Sequence, residues 1–260
     1  MGEEKDIIMA RSKKEILLNT LRKGQRFDER PPGSYRPIEI HKGVIPNAEG
    51  SALVKIGNTQ VLVGVKFDMA TPFADRPTEG VLVTGAELLP LASSSFEPGP
   101  PSENSIELAR IVDRAIRSSE IVDLKSFFVE EGKVLALYID IYVLDHHGNF
   151  IDAALLAATA ALTITRMPKV ENGKIVRGES VGPLPLRCKP VSTTLVKIGD
   201  YWLLDPLRDE EQAMDGRITI ATTDKEICAI QKGKGSLSQD ELSGSLQVAF
   251  KRGAELRALL

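Results

Sequence analysis

Cysteine is almost absent, with two in 260 residues. Cys188 and Cys228 have neither the close spacing of a metal site nor the density of a disulfide framework, which excludes a disulfide-stapled scaffold and points to a reducing cytoplasm. A surplus of basic charge is lacking too: 33 Lys and Arg face 36 Asp and Glu, a net charge of -3, so any contact with nucleic acid must come from a local patch. No apolar run reaches the roughly 20 residues that a bilayer demands. The longest nearly uncharged stretch, Ala153 to Thr165, is short and rich in Ala and Thr. Residues 1–10 carry Glu3, Glu4 and Asp6 where a secretory signal has a basic start and an apolar core. What is present is globular: 42% hydrophobic and 27% charged residues exclude a disordered or collagen-like chain. At about 150 residues per domain the length suits one large or two small domains.

Residues 12–23 read as a short helix, with Ser12 and Glu15 at capping-box spacing, an apolar stripe of Ile16, Leu17 and Leu21, and Gly24 as the stop. Pro31, Pro32 and Gly33 make residues 25–35 an extended arm. Two β-branched runs, 52–56 and 61–65, are joined by Gly57 and Asn58, which suit a hairpin turn. Leu135, Leu137, Ile139, Ile141 and Val143 alternate along one face of a long strand whose other face carries Tyr138, Asp140 and Tyr142. Asp152 is expected as the N-cap of an Ala-rich helix running to Met167, of the small-residue kind that sits sandwiched between other elements. Residues 169–190, rich in Gly and Pro, read as a hairpin or linker between halves. Ser238 and Glu241 form a second capping box before a helix with the stripe Leu242, Leu246, Ala249, Gly253, Leu256 and Leu260. Leu53 to Asn58 recurs as Leu195 to Asp200 with five identities, an echo consistent either with two related halves or with the narrow composition of strands. Each half runs strands first and helices after, an α+β arrangement.

The helix expected over 103–119 buries Leu108, Ile111, Val112, Ala115 and Ile116 and turns Arg110, Arg114 and Arg117 to the opposite face. Three guanidinium groups on one rigid face can hold successive phosphates of a single strand. They can equally be a solvated face in which Glu107 neutralises Arg110 and Asp113 neutralises Arg117. The run Asp205, Asp209, Glu210, Glu211 and Asp215 is the densest carboxylate cluster, readable as acid–base or metal chemistry or as an acidic loop after a strand. His146 and His147, adjacent at a strand end, point opposite ways and read as turn residues. Lys232 to Ser236 lacks Walker spacing and reads as a tight turn. No cofactor or metal motif is legible.

Several ordered blocks then resemble one family. Gly50-Ser51-Ala52 with Gly57-Asn58-Thr59, Glu87-Leu88-Leu89-Pro90, Phe96-Glu97-Pro98-Gly99-Pro100-Pro101, Glu107-Leu108-Ala109-Arg110, Leu144 to Ala154 and Leu204-Asp205-Pro206 look like the RNase PH family. The Phe96 to Pro101 block and Asp152-Ala153-Ala154 are similar to its non-catalytic subunit in the archaeal exosome. The resemblance implies an RNase PH-like fold of two similar lobes, the first like domain 2 of ribosomal protein S5 and the second smaller. It implies residues 1–33 as helix and arm, 34–167 as the first domain, 168–190 as linker or hairpin and 191–260 as the second domain. It further implies a ring of three heterodimers with a catalytic sister subunit, RNA-binding cap subunits on one face, and single-stranded RNA degraded 3′ to 5′ by phosphorolysis.

Carried over position by position, the arginine that active members use to hold phosphate falls at Ile151, and the neighbouring hydroxyl at Phe150. Of two acidic residues six apart, the first falls at Glu211 and the second at Arg217, a reversed charge. The expectation is a chain with no catalytic residue, no metal and no cofactor, contributing Arg110, Arg114 and Arg117 to the RNA path. The competing expectation is a self-sufficient phosphorolytic exoribonuclease using Asp205, Asp209 or Glu211.

Overall fold

The computed structural model describes residues 14–260, so Ser12 of the expected capping box lies outside the described residues. Helix α1, residues 14–22, buries Leu17 and Leu21. Ile16, expected in the same stripe, is instead 58% exposed, because a short helix resting on one small cluster buries only the i, i+4 pair. That cluster is Val196, Ile198, Leu203 and Ala213.

The first sheet is built from β1 (Ile38–Lys42), β2 (Gly50–Ile56), β3 (Thr59–Ala70), β4 (Val81–Leu88), β5 (Phe128–Glu130) and β6 (Lys133–Asp145), in the order β1-β2-β3-β6-β4 with β5 also on β6. All pairings are antiparallel except β4 with β6, which is parallel and therefore requires a crossover. That crossover carries α2 (Glu103–Ser118). The hairpin turn falls at Gly57 and Asn58 as the sequence indicates, and β6 buries Leu135, Leu137, Ile139, Ile141 and Val143.

Helix α3 spans Phe150–Ile164. Asp152 is its third residue rather than its N-cap, which is Asn149 in the left-handed region at φ 54°. Nor does the helix reach Met167: Arg166 N–H donates to Glu49 O, which starts strand β7 (Arg166–Glu171), paired with β8 (Lys174–Pro183). Residues 151–162 are buried all round, so α3 is sandwiched, packing on β2 and β3 on one side and on β9 (Val191–Ile198) on the other.

The second sheet orders β10 (Tyr201–Leu204), β9, β11 (Gly216–Thr222) and β12 (Ile227–Lys232). Short helix α4 (Arg208–Ala213) precedes β11, and α5 (Gln239–Arg257) packs on β9 and β11. The Ser238–Glu241 capping box is formed, and the buried stripe of α5 includes Ser245 besides Ala249, Gly253 and Leu256. Both copies of the sequence echo are hairpins turning at a glycine with positive φ, Gly57 and Gly199. The sheets then diverge: β6 adds to β3, the second strand of its hairpin, whereas β11 adds to β9, the first. Helix α2 touches β4 of one sheet and β12 of the other.

Candidate functional site

The N-cap of α2 is Ser102, whose hydroxyl accepts from Ser105 N–H. From there Leu108, Ile111, Val112, Ala115 and Ile116 face the core, and Arg110, Arg114 and Arg117 are exposed on the other side. Arg117 is engaged: it pairs with Asp113 at 2.9 Å and donates to Leu82 O at 3.1 Å. The matching Glu107–Arg110 pair does not form. Glu107 Oε1 instead accepts from Arg217 Nη2 at 2.8 Å and Gln231 Nε2 at 3.2 Å, both from the second sheet. Arg110 and Arg114 therefore have no ion pair among the described residues, and only half of the expected neutralised face exists. Arg110 borders a groove of about 410 Å³ between α2 and the outer face of the first sheet, shared with Glu87, Asp140 and Tyr142. Burial, then the charge of Glu87, raises the Asp140 carboxyl above its usual range.

The turn after β6 is filled with apolar contacts. Ile151 is 4% exposed and belongs to the core, and the Phe150 ring meets His146 edge-on at 4.9 Å. His146 stacks on Phe96 at 5.4 Å and accepts at Nδ1 from Gly148 N–H. Burial, reinforced by Arg208, pushes its pKa down to about 4, so the ring stays neutral. Both histidines lie in the turn between β6 and α3, as expected, but only His147 is exposed, beside Asp145. The turn needs its glycine: Gly148 has φ 99°, and a Cβ there would fall 2.3 Å from Pro206 O.

The carboxylate run is only in part a solvated loop, Asp209 being exposed while others are buried. Among the described residues no group of three or more His, Cys, Asp and Glu is placed to hold a metal ion. Asp205 and Glu210 are fully buried. Asp205 accepts from the backbone N–H, Nε and Nη2 of Arg36, from Arg30 Nη1, and from Asn149 Nδ2. Burial alone would raise its pKa; the hydrogen bonds and charge of Arg36 override that and hold it below the usual carboxylate range. Glu210 pairs with buried Arg26, which also donates to Leu204 O and Asp205 O, and reaches back to Leu207 N–H. Glu211 accepts from Asn149 N–H, and Asp209 is exposed. The residues expected as an extended arm thus supply Arg26 and Arg30, and Arg36 follows just after it; together the three bind the acidic loop. Composition hides this. Its one sequence signal is three arginines in a stretch otherwise poor in apolar side chains.

Asp152 is buried and holds α3 to β9, accepting from Ser192 and Thr194 hydroxyls, Thr194 N–H, Asn149 Nδ2 and Tyr35 OH. Burial raises its pKa despite these donors.

Two sheets packed on a buried helix, with an arginine-bearing helix across both, define a two-domain α+β fold. The chain belongs to the 3′ exoribonuclease family of RNase PH, matching domain 1 over residues 34–168 and domain 2 over residues 188–252. It is 45% identical over 256 residues to the exosome complex component Rrp42 of Methanopyrus kandleri, covering 96% of each chain. With Rrp42 of Pyrococcus furiosus it shares 46% identity over 262 residues, covering 98% of this chain and 95% of that one. A chain of the solved Archaeoglobus fulgidus exosome with RNA bound to the active site superimposes with a TM-score of 0.90 at 45% identity, covering 96% of this chain and 98% of that one.

Proposed function

We infer that the chain is a subunit of an exosome core ring that degrades RNA 3′ to 5′ by phosphorolysis, and that it guides RNA without catalysing the reaction. Its two lobes, 34–167 and 191–260, flank the hairpin segment 168–190; residues 1–33 precede them, and Arg26 and Arg30 of that segment tie to the second lobe. A catalytic sister subunit supplies the phosphate-handling residues, three such heterodimers close the ring, and cap subunits bring RNA to it in the cytoplasm. The observation that carries the reading is Ile151. The position where active relatives are expected to present a phosphate-binding arginine is an aliphatic side chain packed in the core, unable to donate a hydrogen bond.

The opposite charge at the second acidic position, Arg217, supports the same conclusion. So does Asp205, whose carboxylate is consumed by Arg36, which removes one of the three acids that a self-sufficient enzyme would draw on. Arg110 and Arg114, exposed on α2 and without an ion pair among the described residues, contact the RNA backbone, whereas Arg117 anchors α2 to β4.

The test is direct. The purified chain, incubated with single-stranded RNA and inorganic phosphate, releases no nucleoside diphosphate, and adding the sister subunit starts release. Trimming by the chain alone, abolished by Asp209→Ala or Glu211→Ala, overturns the reading.

A further inference from the structure

We propose that Arg217 is a positioning residue for RNA capture: by drawing the Glu107 carboxylate to the second sheet, it keeps Arg110 free to meet phosphate. The proposal rests on the reading of Arg110 as an RNA contact and adds what makes that contact available. On a helix, residues three apart share a face with Cβ atoms roughly 5–6 Å apart, so a glutamate at 107 is the natural partner of an arginine at 110. The neighbouring pairing on the same helix, Asp113 with Arg117 four residues on, does form.

Glu107 breaks the pattern because two donors from the other lobe outcompete Arg110. The Arg217 side chain is 15% exposed against 36% for Glu107, so their 2.8 Å contact is shielded from water on one side. An ion pair strengthens as solvent is withdrawn, and an exposed one at Arg110 gains little. Gln231 adds a second bond from the neighbouring strand β12. The guanidinium is held in place by its strand: Gly233 leaves room for it, since a Cβ there would fall 2.9 Å from Arg217 Nε. An acidic residue at 217 would do the reverse, repelling Glu107 toward Arg110 and cancelling the charge that RNA needs. The reversed charge at this position therefore has a use besides the loss of an acid.

The experiment measures single-stranded RNA affinity of the reconstituted ring with the sister subunit, without inorganic phosphate, across a series of salt concentrations. Arg217→Met is expected to weaken binding toward the level of Arg110→Ala and to lower the salt slope by about 0.7, the value for one phosphate contact on a single strand. Glu107→Gln combined with Arg217→Met restores both affinity and slope, and Arg217→Lys, which keeps a cation at Glu107, retains them. A merely structural role for Arg217 predicts no rescue by Glu107→Gln, and that result overturns the proposal. So does an unchanged affinity in Arg217→Met alongside a loss in Arg110→Ala. If Arg110→Ala itself changes nothing, the RNA reading of Arg110 fails first and the proposal falls with it. Should Arg217→Met not assemble, Gln231→Met removes the second donor instead. It is then expected to lower the affinity by less than Arg110→Ala and to be rescued by the same Glu107→Gln change, absence of either effect counting against the proposal.

Discussion

The Glu211 carboxylate accepts a hydrogen bond from the backbone N–H of Asn149 at 2.9 Å, so a side chain of the second lobe closes over the start of α3. An anion is favoured at that end of a helix, yet burial dominates here and pushes the Glu211 pKa up to about 7 against the pull of Asn149 N–H, Arg217 and Arg36. The chain's own carboxylate thus occupies the place at which a helix most readily receives a foreign anion.

A stability difference that depends on pH follows. Below its ordinary value of 4.5, Glu211 is protonated in both folded and unfolded chains. Between 4.5 and about 7 the folded chain keeps a proton that the unfolded chain has released, so stability falls as pH rises, and above about 7 the loss is complete. Glu211→Gln keeps an acceptor for Asn149 and carries no such loss. Its advantage over the parent chain in unfolding midpoint should be small at pH 4.5, grow to pH 7 and then level off, worth at most about 3 kcal/mol. A difference that is flat across this range refutes the assignment.

Asp205→Ala should be among the most damaging single changes. It strips Arg36 and Arg30 of a shared buried carboxylate and takes from Asn149 one of its two carboxylate acceptors, leaving only Asp152. Removing one partner of a buried ion pair costs about 3–5 kcal/mol, readable as a lower midpoint in urea with an unchanged slope. A loss below about 1 kcal/mol, the scale of exposed pairs, contradicts the role given to Asp205.

Gly148→Ala combines an unfavourable backbone conformation with a collision against Pro206 O. The strain alone is of order 1–3 kcal/mol. Hydrogen exchange should quicken at residues 205–211, which must move to make room. Gly64→Ala is the control: a Cβ there meets nothing within 4 Å, and its effect on that exchange should be nil.

In the assembled ring, Arg110→Ala and Arg114→Ala should each weaken RNA binding and lower the salt slope by about 0.7. Arg117→Ala should leave the slope alone while loosening α2 from β4, a cost of about 0.3–0.5 kcal/mol for an exposed helical pair. Equal effects of all three on the slope would mean that the Asp113 pair opens to admit RNA.

Legibility in the sequence followed distance along the chain. The Gly57-Asn58 hairpin, the alternation of β6, the apolar stripe of α2 and the Ser238–Glu241 box are set by neighbours within a few residues, and periodicity exposes them. Asp152 was misplaced because an Asp before an Ala-rich run has the composition of a cap, while its actual partners, Ser192 and Thr194, lie 40 and 42 residues away. The same holds for Glu107, whose i+3 neighbour loses to Arg217 across 110 residues. The parallel pairing of β4 with β6 left no mark in turn residues, since a crossover has no tight turn to read. Of the candidate site, the arginine stripe of α2 was visible in advance; which of its arginines lack an ion pair among the described residues was not.

Arg26 and Arg30 of the arm, with Arg36 just after it, also set an order of events during synthesis. Arg26 waits 184 residues for Glu210, and Arg36 waits 169 for Asp205. At the usual pace of translation that interval is on the order of ten seconds or longer, during which the first lobe can collapse while its strap hangs unclosed. The contacts of Arg26 and Arg36 with the second lobe are then among the last to close, so a chain that ends before residue 205 leaves both without their buried carboxylates.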